Sequence, residues 1–210
     1  MRESPRIRRL RSDFRAIQQL YAESSILNFV AHGSPPESYL VTFTGNGFWR
    51  PEGSNDIVVR EQHIVRIDLS ASYPRMQPEL GWQSPIFHPN ISASGVVCLG
   101  GYGTYWVPSV GIDELCTMLW DMIRYQNYDV ESPYNREAAA WAKTQYGYQL
   151  PIDPRPLRDR TAGVAPDQDE RKPPILGMPQ PSAPEVTFID AEVVDAEIVE
   201  QDVADILFIE

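Results

Sequence analysis

The sequence predicts an α+β domain, because helix-type and strand-type patterns occupy separate stretches of the first 150 of its 210 residues. One amphipathic pattern comes first, and segments of alternating apolar and polar residues follow it. Two more helical patterns come after a long segment rich in proline and glycine. Helices that are grouped around a run of strands, rather than alternating with them, favour an antiparallel sheet with helices packed on it.

The first element is a predicted helix over residues 5–22. Its apolar residues recur at spacings of three and four, and arginines occupy the other face. Pro5 stands near the start, where a helix tolerates proline. The apolar positions are Ile7, Leu10, Phe14, Ile17, Leu20 and Tyr21.

Three strands are predicted next, over residues 24–32, 38–45 and 63–73, with turn formers between them. An antiparallel meander is the simplest arrangement of such strands. From Tyr73 to Pro108 the chain is broken by prolines and glycines, which excludes a regular element and predicts a long ordered loop around a short strand or two. Long loops in compact domains are usually functional.

Two helices complete the predicted domain, which covers residues 1–149. The first is predicted over residues 111–126, with apolar residues on one side. The second is predicted over residues 132–146, with Ser132 as the N-cap and Pro133 at the first helical position.

The net charge of −11 is unevenly distributed. Residues 1–150 hold 13 basic and 15 acidic side chains, whereas residues 151–210 hold 5 basic and 14 acidic ones. All five Trp and all ten Tyr precede residue 150. We therefore predict a Pro-rich disordered linker over residues 150–184 and a separate tail over residues 185–210.

The tail interleaves its nine acidic residues with apolar ones, which a purely solvating tail does not require. Such segments can add as a strand to the sheet edge of a partner protein. An intramolecular strand and an autoinhibitory mimic are the alternatives. The candidate partner-binding residues are Val186, Phe188, Ile189, Ile206, Leu207, Phe208 and Ile209.

Composition argues against several classes of protein. An acidic chain without a large basic surface is a poor binder of nucleic acid or of anionic membranes. Two cysteines and three histidines are too few for a disulfide framework or a zinc cluster, so we expect no metal. The sequence contains no apolar run long enough for a secretory signal or a membrane span, so we expect a cytoplasmic protein.

The loop brings a cysteine, an asparagine and a histidine into one short segment. A cysteine in an irregular, accessible segment can form an acyl intermediate, and an asparagine amide can donate to an oxyanion. On spacing alone, however, Cys98 is also typical of a small core residue, Asn90 of a turn former and His88 of a structural histidine.

In its wider context the segment resembles the active-site run of the ubiquitin-conjugating enzymes. The resemblance lies in Tyr73-Pro74, PIFHPNI, Gly95, Cys98-Leu99 and Trp106-x-Pro108, with eight residues from Asn90 to Cys98 and eight more to Trp106. Residues 8–17 and 132–142 resemble the first and third helices of the family, so the resemblance covers about residues 7–147. It implies an N-terminal helix, a four-stranded antiparallel meander, an active-site loop and C-terminal helices.

The resemblance also implies a role for each of these residues. Cys98 would carry a ubiquitin-like protein as a thioester, and Asn90 would stabilise the oxyanion or hold the loop. His88, Pro89 and Trp106 would be structural. Ser132 matches the position of a residue near the thioester that assists the incoming lysine. No cofactor is implied, because the activating enzyme uses the ATP.

The expected partners are a ubiquitin-like protein, a ubiquitin-activating-type enzyme and a protein target. The arginines of the first helix would dock on the activating enzyme, the alternative being a solvated helix face. After Cys98-Leu99, many members of the family carry an acidic residue, whereas this sequence has Gly100-Gly101-Tyr102-Gly103. Arg75 stands where eukaryotic members that work with RING ligases present an apolar side chain. Whether this protein needs a ligase therefore stays open. The docking residues are Arg6, Arg8, Arg9 and Arg11.

Two other functions remain as alternatives. A non-catalytic binding module of the same fold is disfavoured by Cys98 together with Asn90. A thiol acyltransferase with a small-molecule donor is disfavoured because the sequence has no phosphate-binding loop. The sequence differs from the eukaryotic members of the family, and it contains far more arginine than lysine. By resemblance, these two features indicate a bacterial member of the family, encoded in an antiviral operon.

Overall fold

The computed structural model describes residues 3–99 and 106–160. This part of the chain forms a four-stranded sheet and three helices, in the order α1, β1 to β4, α2, α3. The bounds are α1 Pro5–Glu23, β1 Leu27–Gly33, β2 Pro36–Trp49, β3 Val58–Asp68, β4 Glu79–Trp82, α2 Ile112–Ile123 and α3 Arg136–Thr144.

Helix α1 begins and ends close to the predicted positions. The Ser4 side chain caps its start by accepting a hydrogen bond from the Ile7 amide, and Pro5 occupies the first turn. At the other end, the Ser24 hydroxyl accepts hydrogen bonds from the Ile26 and Leu27 amides. These bonds form a turn, so β1 begins at Leu27 rather than at residue 24.

The sheet is an antiparallel meander in the order β1-β2-β3-β4, which confirms the predicted fold class. Val41 lies opposite Phe29 on one side and Val65 on the other, and all three side chains are buried. The third strand starts at Val58, five residues before the predicted start, because β2 continues beyond a bulge between Thr44 and Gly47 and pairs with it.

Helices α1 and α2 pack on the inner face of the sheet. Phe14 of α1 contacts the edge of Phe29, and Trp120 of α2 stacks on Phe43 with 6.3 Å between ring centroids. The approach of Trp120 requires a glycine in β2, because a Cβ at Gly45 would overlap its indole ring. The main core therefore lies between the sheet and these two helices.

A second, aromatic cluster lies where α3 meets the end of β2. The Phe48 ring contacts the rings of Tyr125, Trp141 and Tyr148, with centroids 4.8 to 5.1 Å apart. Tyr125 follows α2 with a positive φ of 59°, which ends the helix three residues earlier than predicted. Its hydroxyl donates to the Phe87 carbonyl at 2.6 Å, and this bond joins the cluster to the predicted active-site segment.

The predicted boundary at residue 149 is too early, because residues 151–160 pack on the domain. Leu157 is buried in the main core, and the Arg155 carbonyl accepts a hydrogen bond from the Trp120 indole at 2.8 Å. Asp153 is buried and pairs with Arg155. Prolines in this segment suggested a linker, but proline also suits an extended chain that follows a protein surface.

The rest of the predicted linker and the whole acidic tail lie outside the described residues. Among the helices of the described ranges, none combines the length and the apolar character that crossing a membrane requires.

Candidate active site

Cys98 lies directly after a tight turn that brings it back towards Asn90. Gly95 forms this turn with a φ of 83°, and a Cβ there would collide with the Trp82 carbonyl. The Cys98 amide then donates to the Asn90 carbonyl at 2.9 Å. The two residues singled out by their spacing are thus neighbours in space, and the Cys98 side chain is partly exposed.

Asn90 is almost fully buried, and both ends of its side-chain amide bond the backbone of Asp129. Its Nδ2 donates to the Asp129 carbonyl at 2.9 Å, and its Oδ1 accepts from the Asp129 amide at 2.7 Å. These bonds tie the segment before Cys98 to the loop between α2 and α3. A side-chain amide carries two N–H groups, and the hydrogen bonds between described residues use one of them.

His88 is fully buried and supports the same turn. Its Nδ1 accepts a hydrogen bond from the Asn90 amide at 3.1 Å, and its ring lies 4.9 Å from that of Tyr125. Burial lowers the pKa of His88 to about 3, against a smaller opposing contribution from the Asn127 backbone. The imidazole is therefore neutral at physiological pH, which agrees with a structural histidine rather than a base.

Pro89 organises the loop that leads into α3. Its carbonyl accepts hydrogen bonds from the Tyr134 and Asn135 amides at 2.8 and 2.9 Å. Asn135, rather than Ser132, is the N-cap, because its side chain accepts from the Ala138 amide at 3.1 Å. The prediction of Ser132 as the N-cap was wrong, since the contact with Pro89 holds these residues in a loop.

Ser132 is exposed, and its amide donates to the Asp129 carboxylate at 3.3 Å. The same carboxylate oxygen accepts from the Glu131 amide at 2.7 Å. Glu131 in turn forms an ion pair with Lys143 of α3 at 2.9 Å. The loop beside Asn90 therefore presents an exposed hydroxyl and two carboxylates, one of which has a cationic partner.

Trp106 holds the far end of the active-site segment. Its indole N–H donates to the Pro74 carbonyl at 2.6 Å, and its ring lies 6.2 Å from that of Tyr73. This contact joins two loops that are 32 residues apart in the sequence. Val107, directly after it, is half exposed.

The arginines of α1 divide into two groups. Arg9 pairs with the buried Asp13 and donates to the Tyr73 hydroxyl and the Pro108 carbonyl. Arg6 pairs with Glu37. These two side chains connect the first turns of α1 to the loop after β3 and to the loop before α2.

Arg8 and Arg11 are exposed, and Arg11 is paired with Glu3. Of the four arginines predicted to bind a partner, these two are therefore the ones that the fold leaves at the surface.

A groove of about 750 Å³ opens beside Cys98. Its lining includes Met76, Glu79, Val96 and Tyr134, none of which the sequence analysis selected. Tyr134 directly follows Ser132-Pro133, and Val96 lies two residues before Cys98, so both adjoin predicted site residues. Met76 and Glu79 belong to a different segment, and only folding brings them to the cysteine.

The second cysteine is unsuited to the same chemistry. Cys116 is fully buried in α2, and burial raises the pKa of its thiol. Within residues 3–99 and 106–160, no three His, Cys, Asp or Glu side chains are grouped so that they could hold a metal ion.

The central part of the chain is similar to known proteins. Residues 59–150 match the sequence model of the family "Ubiquitin-conjugating enzyme". A curated relative, Ubiquitin-conjugating enzyme E2 16 of Schizosaccharomyces pombe, is 33% identical over 84 residues, which are 40% of this chain and 51% of that protein. SUMO-conjugating enzyme UBC9 of Caenorhabditis elegans is 32% identical over 76 residues, 35% of this chain and 45% of that protein.

The similarity extends further in structure than in sequence. S. cerevisiae Ubc12 superposes with a TM-score of 0.55 at 20% identity, covering 70% of this chain and 75% of that one. The fold is therefore that of the ubiquitin-conjugating enzymes. In sequence, this chain spans about half the length of the curated relatives described above.

Proposed function

We propose that this protein accepts a ubiquitin-like protein from an activating enzyme as a thioester on Cys98 and transfers it to a lysine of a protein target. The observation that carries the proposal is the placement of Cys98. The residue is partly exposed at the edge of a groove, and its backbone is bonded to Asn90 within a ubiquitin-conjugating enzyme fold.

The first step is an exchange of thioesters. The Cys98 thiolate attacks the carbonyl carbon of the modifier, the new carbon–sulfur bond forms, and the cysteine of the activating enzyme leaves as a thiolate. The energy of the thioester is conserved, so the exchange consumes no ATP. Burial disfavours the Cys116 thiolate and leaves Cys98 as the nucleophile.

In the second step, a neutral lysine amine attacks the thioester and Cys98 leaves as a thiolate. The Asn90 amide supplies its second N–H to the oxyanion that forms during this attack. Because Asp129 holds the amide from both ends, Asn90 enters the reaction already oriented. His88 takes no proton, since it is buried and neutral.

The lysine must lose a proton before it can attack, because its ordinary pKa is about 10.4. We assign this assistance to the loop that contains Asp129 and Ser132. The Asp129 carboxylate orients the backbone of the loop, and the exposed Ser132 hydroxyl is available to the incoming amine. The ammonium loses its proton to solvent, and the neutral amine then attacks the thioester.

For partners, we propose that the activating enzyme docks on the exposed Arg8 and Arg11, and that the tail of residues 185–210 binds the ubiquitin-like protein. A ligase is not required by the proposal, because the groove beside Cys98 can contact an acceptor directly. We also propose a cytoplasmic role in bacterial antiviral defence. This rests on the Gly100–Gly103 departure from the eukaryotic pattern and on the presence of only two lysines among 18 basic residues.

The test is incubation of the full chain with its cognate activating enzyme, the modifier and ATP. The expected product is an adduct that thiols cleave. Cys98→Ser replaces the thioester by an oxyester that survives thiols, while Cys116→Ala still forms the thiol-sensitive adduct. The proposal fails if the wild-type protein is never loaded, as a non-catalytic binding module would behave, or if Cys98→Ala still forms the adduct.

A further inference from the structure

Beside Cys98, the groove of about 750 Å³ combines exposed apolar side chains with one carboxylate. We propose that this groove binds the acceptor polypeptide, and that it selects acceptors with one apolar and one basic side chain close to the target lysine. The inference rests on the proposed function and names the class of substrate that Cys98 modifies.

The apolar part of the groove consists of side chains that the fold leaves unburied. Met76 is 61% exposed, Val96 52% and Tyr134 53%. Grouped apolar side chains of this kind mark a contact surface, whereas single exposed ones are ordinary. Their position at the nucleophile identifies the ligand as a reactant.

The backbone beneath two of these side chains is well held. The Val96 amide donates to the Ser92 hydroxyl at 3.0 Å, and the Val96 carbonyl accepts from the Ser92 amide at 2.9 Å. The Tyr134 amide donates to the Pro89 carbonyl at 2.8 Å. A rigid backbone with exposed side chains is preorganised for binding, because little further ordering is needed.

The charge preference comes from Glu79 of β4. Among the described residues that line the groove, Glu79 is the only charged one. It lies opposite Asp68 in the sheet register, and Asp68 is already paired with Arg66. No described residue forms an ion pair with Glu79, so a basic side chain on the acceptor would complement its charge.

Two ligands must reach Cys98, the acceptor and the C-terminal segment of the modifier, and the geometry assigns the groove to the acceptor. Tyr134 borders the groove and lies two residues after Ser132, whose hydroxyl is proposed to be available to the lysine amine. An acceptor that lies along the groove therefore delivers its amine to the carbonyl carbon on Cys98 from the side of Ser132.

The experiment loads Cys98 without the activating enzyme. Full-length protein is incubated with a fluorescent glycylglycine thioester of mercaptoethanesulfonate. The Cys98 thiolate attacks the carbonyl carbon and mercaptoethanesulfonate leaves as a thiolate. Single-turnover discharge is then measured on three acetylated, amidated peptides: Ala-Leu-Ala-Lys-Ala-Arg, a version with Glu for Arg, and a version with Ser for Leu.

We expect the Leu-Lys-Arg peptide to discharge the thioester about fivefold faster than either of the other two, as weak surface contacts allow. Glu79→Lys removes or reverses the preference for Arg, and Tyr134→Ala removes the preference for Leu. The controls are Glu52→Lys, the same charge change on an exposed loop, and Tyr146→Ala, at a tyrosine that is 95% exposed. Both controls retain the preferences.

Equal discharge of all three peptides by the wild-type protein overturns the inference, with loading intact and the proposed function unaffected. Altered loading of Glu79→Lys by the fluorescent thioester, with unchanged peptide preference, also overturns it and assigns the groove to the modifier instead. Failure of the wild-type Cys98 to exchange at all overturns the proposed function together with the inference.

Discussion

The side chains on the two sides of Cys98 differ in burial and in hydrogen bonding. On the bonded side, His88 and Asn90 are buried and hydrogen-bonded to neighbouring backbone. On the open side, Met76, Val96 and Tyr134 are more than half exposed. Both sides adjoin Cys98, yet only the side chains of the bonded side are buried.

This difference separates two requirements of a group-transfer site. The bonded side holds the geometry of the nucleophile, so changes there should alter stability and chemistry together. The open side contributes few internal contacts, so changes there should alter acceptor choice while leaving stability nearly constant. Variants of Asn90 and His88 test the bonded side, and a variant of Ser132 tests its boundary with the open side.

The largest effect is expected for Asn90→Ala on the bonded side. Loss of the oxyanion donor should slow discharge of the thioester to amines by about 100-fold to 1,000-fold. Loss of the two bonds to Asp129 should lower the free energy of unfolding by about 1–3 kcal/mol. Single-turnover discharge and denaturant unfolding measure the two effects separately.

Loading of Asn90→Ala should stay close to that of the wild-type protein, because donation to the oxyanion is proposed for the amine step. If loading and discharge fall by the same factor, Asn90 acts only by holding the loop. In that case the bonded side is a scaffold without a chemical role.

The second effect concerns the pH dependence of stability. Burial lowers the pKa of His88 to about 3 and that of His63 to about 4. The unfolded chain, with ordinary pKa values near 6.5, binds more protons at acidic pH. The free energy of unfolding should therefore fall as the pH decreases from about 6.5 towards 4, by about 2 kcal/mol per histidine at pH 5.

Urea unfolding at pH 7 and pH 5 checks this expectation. His88→Asn keeps a hydrogen-bond acceptor near the Asn90 amide but does not titrate, so it should lose about half of the pH dependence. His32→Gln, at an exposed histidine, is the control and should retain all of it. A free energy of unfolding that is constant between pH 7 and pH 5 would show that the buried imidazoles do not contribute to the pH dependence of stability.

The smallest effect is expected for Ser132→Ala, at the boundary between the two sides. A neutral, exposed hydroxyl should contribute less than about 1 kcal/mol to the amine step, which corresponds to less than about fivefold in discharge. Stability should not change, because Ser132 does not cap α3. Asn135→Ala, by contrast, should lower the free energy of unfolding by about 1 kcal/mol through loss of the cap.

Thermal unfolding and discharge rates of the two variants distinguish these roles. A larger loss of stability for Ser132→Ala than for Asn135→Ala contradicts the assignment of the cap. A hundredfold loss of discharge for Ser132→Ala would make it a main catalytic group rather than a contributor.

Local patterns along the sequence predicted much of the architecture. Spacings of three and four predicted α1, and alternation together with turn formers predicted an antiparallel meander. The resemblance to the ubiquitin-conjugating enzymes, carried by the segment from His88 to Cys98, predicted the centre of the candidate site. These features could be read from the sequence because they depend on neighbours within a few residues or on a motif of fixed length.

Contacts between segments that are distant in the sequence decided the features that the local patterns did not predict. The prolines of residues 151–160 predicted a linker, yet Leu157 is buried in the core and the Trp120 indole donates a hydrogen bond to the Arg155 carbonyl. Arg9 read as a surface charge, but Asp13 and two loop carbonyls surround it.

The open side of the groove was not predicted from the sequence, because its side chains come from three separate segments, which contain Met76 and Glu79, Val96, and Tyr134. The sequence by itself determined most of the helices and strands, because their patterns are local, and its motif gave Cys98 as the candidate nucleophile. Only the tertiary structure decided which polar and apolar side chains are satisfied internally and which are left for a partner.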